Sequence, residues 1–156
     1  MSDKSKNSGF TLVETLIAIS VVSVTIAAAT QLTISSNRIG KQMMAQFKAF
    51  HIAEEGIEIV RNMRDSNWLQ NKDWEKGLSN GFFTITKTSS GYPWRLDKTA
   101  GVARQPEKDG MSQIIEIKTN TDASIQLSSR VTYIFSNKER EVELTAQLTN
   151  WKKGPL

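Results

Sequence analysis

Apolar and polar positions follow three different patterns along the chain. Residues 15–37 form a run of 23 without a charged side chain, and from Leu16 to Ala29 every position is apolar or small. At about 1.5 Å per residue such a helix is roughly 35 Å long, enough for the ~30 Å hydrocarbon core of a bilayer. A helix apolar on every face belongs in a membrane or a large core, and 156 residues cannot wrap a core around this one. Beyond it the period becomes that of an amphipathic helix. Ile39, Met43, Phe47, Phe50, Ile57 and Val60 recur at steps of three, four or seven, while Lys41, Lys48, Glu54, Glu55, Glu58 and Arg61 mostly occupy other faces. One helix is therefore expected from residue 10 to about 64, with Met43, Phe47, Phe50, Ile57 and Val60 packing against the rest of the domain. Gly40 and Gly56 are its soft points, each costing about 1 kcal/mol relative to alanine. No proline precedes Pro93, so no kink of that kind is expected.

Residues 65–68 read as the helix stop, and residues 70–80 as a polar connector. From Gly81 the period is two. Residues 82–87 predict a strand, 89–91 a turn, and 92–96 a short edge strand, because Pro93 cannot donate to a ladder. Residues 97–110 are charged and aperiodic, which predicts an exposed loop. A strand follows at 114–119, a turn at 120–122, and a strand at 124–135 with a bulge expected at Ser128-Ser129. Residues 137–140 predict a hairpin turn, after which Val142, Leu144, Ala146 and Leu148 give the cleanest alternation. The predicted fold class is α+β: a long N-terminal helix on a four- to five-stranded antiparallel sheet with one apolar face.

Composition narrows the chemistry. The net charge of +4 is compatible with weak contact to nucleic acid or an acidic surface without pointing to either. His51 is the only histidine and cysteine is absent, so no disulfide is expected and the usual nucleophile–base pairs are missing. His51 stands between Phe50 and Ile52, which favours a helix-face role over a ligand role. Asp65, Asn67, Asn71 and Asp73 faintly resemble a calcium loop. The twelfth position counted from Asp65 is however Lys76, where a bidentate glutamate is required, so capping and turn chemistry explains them better. Trp68, Trp74, Trp94 and Trp151 are expected as core and hinge-locking residues rather than a binding surface. No phosphate loop or metal spacing appears. The expectation is a protein that is not an enzyme and needs no cofactor or metal.

The odd residue is Glu14, a carboxylate at the edge of the apolar run. An ionisable group there is costly and reads as functional. A secretory signal would place its small residue after the apolar core, whereas Gly9 comes before it. A plain signal anchor fits Lys4, Lys6 and the length, but gives no reason for Glu14. Gly9-Phe10-Thr11-Leu12-Val13-Glu14 followed by an apolar helix resembles the processing motif of type IV pilins and the pseudopilins of type II secretion and DNA-uptake systems. The likeness covers roughly the first 35 residues. It implies that prepilin peptidase cuts between Gly9 and Phe10 and methylates the new amine. A 147-residue mature chain with net charge +3 would result. It also implies that Glu14 is the assembly glutamate, meeting the amine of a neighbouring subunit. Residues 1–9 would then be a leader, 10–36 a transmembrane and filament-core helix, and 37–156 an extracytoplasmic domain. The basic leader fits the positive-inside rule, placing that domain outside the cytoplasm.

By this resemblance the chain is a pilus subunit, first in the cytoplasmic membrane and then in an extracellular filament used for adhesion, motility or DNA uptake. Its partners would be copies of itself or related pilins, the peptidase and the assembly platform. A pseudopilin is the alternative, and a signal-anchored binding domain is a third reading. Many pilins close a C-terminal loop with a disulfide, which this cysteine-free chain lacks.

Overall fold

The computed structural model describes residues 11–87, 94–101, 110–121 and 124–151. They form one helix followed by five strands. The chain divides into two units, Met1–Lys41 and Gln42–Leu156.

Helix α1 spans Leu12–Leu69, 58 residues. Thr11 caps it: the Glu14 N–H donates to Thr11 Oγ1 at 3.3 Å, and the Thr15 N–H to the Thr11 carbonyl at 3.2 Å. None of its most apolar stretch is buried, and it is long and apolar enough to cross a bilayer. The hydroxyls in that stretch turn inward onto the helix itself. Ser20, Ser23, Thr30 and Thr33 donate to the carbonyls four residues earlier, and Thr15 and Thr25 to those three earlier, at 2.7–3.0 Å. Each donor is thus satisfied without water, the condition for residence in hydrocarbon.

The helix runs five residues past the expected end near Arg64. The polar residues that suggested a stop are engaged otherwise: Asp65 Oδ1 takes the Arg64 Nε–H at 2.9 Å, and Asn67 Nδ2 donates to the carbonyls of Trp74 and Lys76. The actual stop is Asn71, in the left-handed region at φ 52°. The Asn71 N–H bonds the Trp68 carbonyl and the Lys72 N–H the Asn67 carbonyl, the two bonds of a Schellman cap.

Strands β1 (Gly81–Lys87), β2 (Trp94–Thr99), β3 (Met111–Thr121), β4 (Ser124–Phe135) and β5 (Lys138–Thr149) form one sheet in the order β2-β1-β3-β4-β5. All neighbours are antiparallel. β2 is an edge strand as expected, but it extends to Thr99 and takes in residues assigned to a loop. Cross-strand pairing decides this, since Asp97 and Lys98 sit opposite Thr84 and Phe83. Asn120 and Thr121 likewise belong to β3. The irregularity of the ladder lies between Thr119 and Thr121, whereas Ser128 and Ser129 pair regularly with Thr145 and Leu144. Ser136 and Asn137, at φ 51° and 59°, make a two-residue turn, so Lys138 and Arg140 already belong to β5. The turn at 89–91 and the loop at 102–109 lie outside the described residues. Along β4 the odd positions from Ile125 to Tyr133 are buried, facing the helix, while Glu139, Glu141 and Glu143 of β5 share the opposite, exposed face.

The helix–sheet contact corrects the predicted stripe. Ile57 and Val60 are buried as expected, but Met43, Phe47 and Phe50 are 52%, 58% and 42% exposed. The buried face is Ala49, Ala53, Gly56, Ile57 and Val60. At 100° per residue, Met43, Phe47 and Phe50 lie about 60–120° round the helix from Ala53. Steps of three, four and seven had joined two adjacent faces into one. Small residues won the sheet because they let the backbones approach. A Cβ on Gly56 would stand 2.2 Å from Gln113 Nε2 and 2.7 Å from Ser129 Oγ. Gln113 fills that space, donating to the Ile52 carbonyl at 2.7 Å and to Ser129 Oγ at 3.1 Å. Around it Ile57 and Val60 join Phe83, Ile115, Leu127 and Leu148 in one core cluster, and Ala49 and Ala53 join Val131 and Tyr133 in another.

Candidate functional site

The first turn of α1 places Glu14 as the third helical residue after its cap, in a Thr-x-x-Glu sequence that is the capping-box pattern. A carboxylate there is favoured by the four unpaired N–H groups and the positive end of the helix dipole. This local role of Thr11 and Glu14 went unread in the sequence, although the Thr-x-x-Glu spacing signals it. It does not exhaust the carboxylate. Glu14 is exposed, and it is the only ionisable side chain between Thr11 and Asn37. A helical residue reaches neighbours three or four positions away, and none of those around Glu14 carries a cation. Its charge therefore has to be met by the backbone, by water, or by a group that is not a side chain of its own helix. Phe10, four residues earlier, and Gly9 lie outside the described residues.

Residues 4–30 match the family described as the prokaryotic N-terminal methylation motif. This is the type IV prepilin signature. The match takes in Gly9, Phe10, Thr11, Glu14 and the apolar stretch to Thr30, and supports a type IV pilin-like or pseudopilin precursor. No curated protein and no solved structure matches the chain. The prepilin signature together with the apolar helix fits a membrane-anchored precursor and points to a structural subunit.

The remaining candidates do not converge on this motif. His51 is exposed, with Nδ1 3.5 Å from Glu54 Oε2 and its ring edge-on to Phe50. Trp74 is buried in the core, and Trp68 packs partly against it. Trp68 also meets Trp151 edge-to-face at 5.2 Å and carries the Arg64 guanidinium 4.7 Å from its ring centre. The pair thus ties the residues just after β5 to the end of the helix, while Trp151 itself stays largely exposed. On the outer face of the sheet, Arg130 lies between Glu141 (3.1 Å) and Glu143 (3.5 Å), and Ser128 donates to Glu143. The Ser128 hydroxyl, with help from Arg130, holds the Glu143 carboxyl below its ordinary value against the opposing effect of burial. This is a solvated ladder of charge across two strands.

Proposed function

We propose that this chain is a structural subunit of a type IV pilus. Prepilin peptidase cuts it after Gly9 and methylates Phe10. The product waits in the cytoplasmic membrane as a single-pass protein, and the assembly platform adds it to a helical filament. The filament's inside is the bundled apolar stretches of α1, and its outside is the sheet domains of residues 37–156. The observation that carries this reading is the methylation motif at the head of a helix whose apolar stretch has no burial of its own. Apolar surface on this helix is satisfied by lipid before assembly and by other copies after it.

Glu14 supplies the register. After cleavage the Phe10 amine is cationic and lies at the edge of the same apolar environment. Two opposite charges there are costly apart and much less so together. A neighbouring copy placed so that Glu14 meets this amine is selected over every other axial position, because a misplaced helix leaves both charges bare. The test follows two variants from cells with equal membrane pools. Gly9→Val remains full-length by mass spectrometry, because the peptidase needs a backbone without a side chain at the cut. Glu14→Ala is cut and methylated normally but is depleted in the sheared filament fraction. Normal trimming of the first variant, or parental filament yield from the second, defeats the proposal.

A further inference from the structure

The end of the apolar run is as sharply marked as its start. The 23 uncharged residues 15–37 are followed at once by Arg38 and, three positions on, by Lys41. Both are exposed, and among the described residues neither has an ion-pair or hydrogen-bond partner. Their own helix offers none. No carboxylate occurs between Glu14 and Glu54, and helical neighbours lie only three or four positions away.

Helical geometry aims these two cations at one place. Three residues separate them by about 4.5 Å along the axis and about 60° around it, so they share one side of α1. The Cα–Cβ bonds of a helix tilt toward its N-terminus, and here that direction is the apolar stretch. Arg38 is thus set back toward Ile34 and Lys41 toward Asn37, the level at which hydrocarbon gives way to headgroups. Arg38 is 24 residues beyond Glu14, about 36 Å, so ionisable side chains bracket a length slightly greater than the hydrocarbon core. Cations in this position have a cost. Residues 1–14 hold Lys4 and Lys6, whereas residues 38–51 hold Arg38, Lys41 and Lys48, and cations on the exported side oppose the charge bias that orients a span. Some gain has to offset that, and the anions at hand at this depth are lipid phosphates. A guanidinium meets a phosphate bidentately and an ammonium meets it as a point charge. Both residues stand within a Debye length of the membrane surface, where the attraction is not yet screened.

We propose that Arg38 and Lys41 together dock the phosphates of anionic lipids in the leaflet on the domain side, fixing the depth of α1 in the membrane. The inference rests on the membrane-anchored precursor and goes beyond the filament reading, since it concerns the subunit before assembly. The chain has no cysteine, so a single fluorescent label goes on Ile34→Cys, on the side of Arg38 and Lys41, or on Ser36→Cys, about 160° away. The full-length labelled chain is reconstituted in phosphatidylcholine vesicles containing equal fractions of brominated phosphatidylglycerol or brominated phosphatidylcholine, whose bromines quench a label they touch. At Ile34→Cys the anionic lipid is favoured about tenfold over the zwitterionic one, and at Ser36→Cys much less. Arg38→Gln/Lys41→Gln brings the ratio to about one, while the charge-preserving Arg38→Lys/Lys41→Arg keeps it. Inorganic phosphate lowers the ratio no more than chloride of equal ionic strength does. A parental ratio near one, an equal preference at both labels, or an unchanged ratio in the double glutamine variant overturns the proposal. So does specific displacement by inorganic phosphate, which would make this a site for the free anion. If neither brominated lipid quenches either label, the chain is not in the bilayer, and the membrane reading fails together with this one.

Discussion

Gly56 and Gln113 make a key and a slot. The glycine looks like a weak point by propensity, yet it is the residue through which the helix approaches β3 and β4, and the Gln113 amide occupies the room that a methyl group would need. Gly56→Ala therefore forces Gln113 off the Ile52 carbonyl or pushes the helix away from the sheet. A loss of about 1–3 kcal/mol is expected, in the range of overpacked cores, despite alanine's better helix propensity. Gln113→Ala alone removes the hydrogen bond and leaves a void. In the double variant the new methyl fills part of that void, so the two effects are less than additive by chemical denaturation of the full chain in detergent. Strict additivity would show that the two side chains do not compete for one space. None of this was legible in the sequence, because nothing near Gly56 announces a glutamine 57 positions later.

The sheet was easier to read than the helix face. The alternation of Val142, Leu144, Ala146 and Leu148, and of Ile125, Leu127 and Val131, gave β4 and β5 closely, because one buried face per strand leaves a period-two imprint. β2 was cut short since Asp97 and Lys98 read as the start of a charged loop, although cross-strand partners decide pairing. The helix face failed for a different reason: a continuous helix with two apolar sides admits more than one stripe of correct period, and alanines carry too little signal to mark the buried one. The β4–β5 ladder yields a pH prediction. The Glu143 carboxyl is held low by Ser128 and Arg130, so its contribution to stability is fully present above its unfolded-state value, about pH 4.3, and is lost as pH falls through the lowered folded value. Glu143→Gln should flatten the acid limb of a melting-temperature profile and leave the neutral region with a small, pH-independent change. An unchanged acid limb would mean that the ladder is not coupled to folding.

For the whole chain, the motif was legible because its pattern is local: a glycine, a carboxylate five positions on, and an apolar helix behind. Both core clusters are drawn from residues between Ala49 and Leu148, inside the unit Gln42–Leu156. A fragment beginning at residue 37 should accordingly fold in water without detergent, with mixed helix and strand signal by circular dichroism and a cooperative melt. A non-cooperative melt would show that the apolar stretch contributes to the domain's fold. The sheet ends in open strands, and on β5 the row Glu139, Glu141, Glu143 lies along that edge. Two such edges meeting antiparallel, with faces preserved, set glutamate against glutamate, for instance 139 opposite 143 and 141 opposite itself. Domains brought close together are thereby kept from zipping through their β5 edges into one continuous cross-β ribbon.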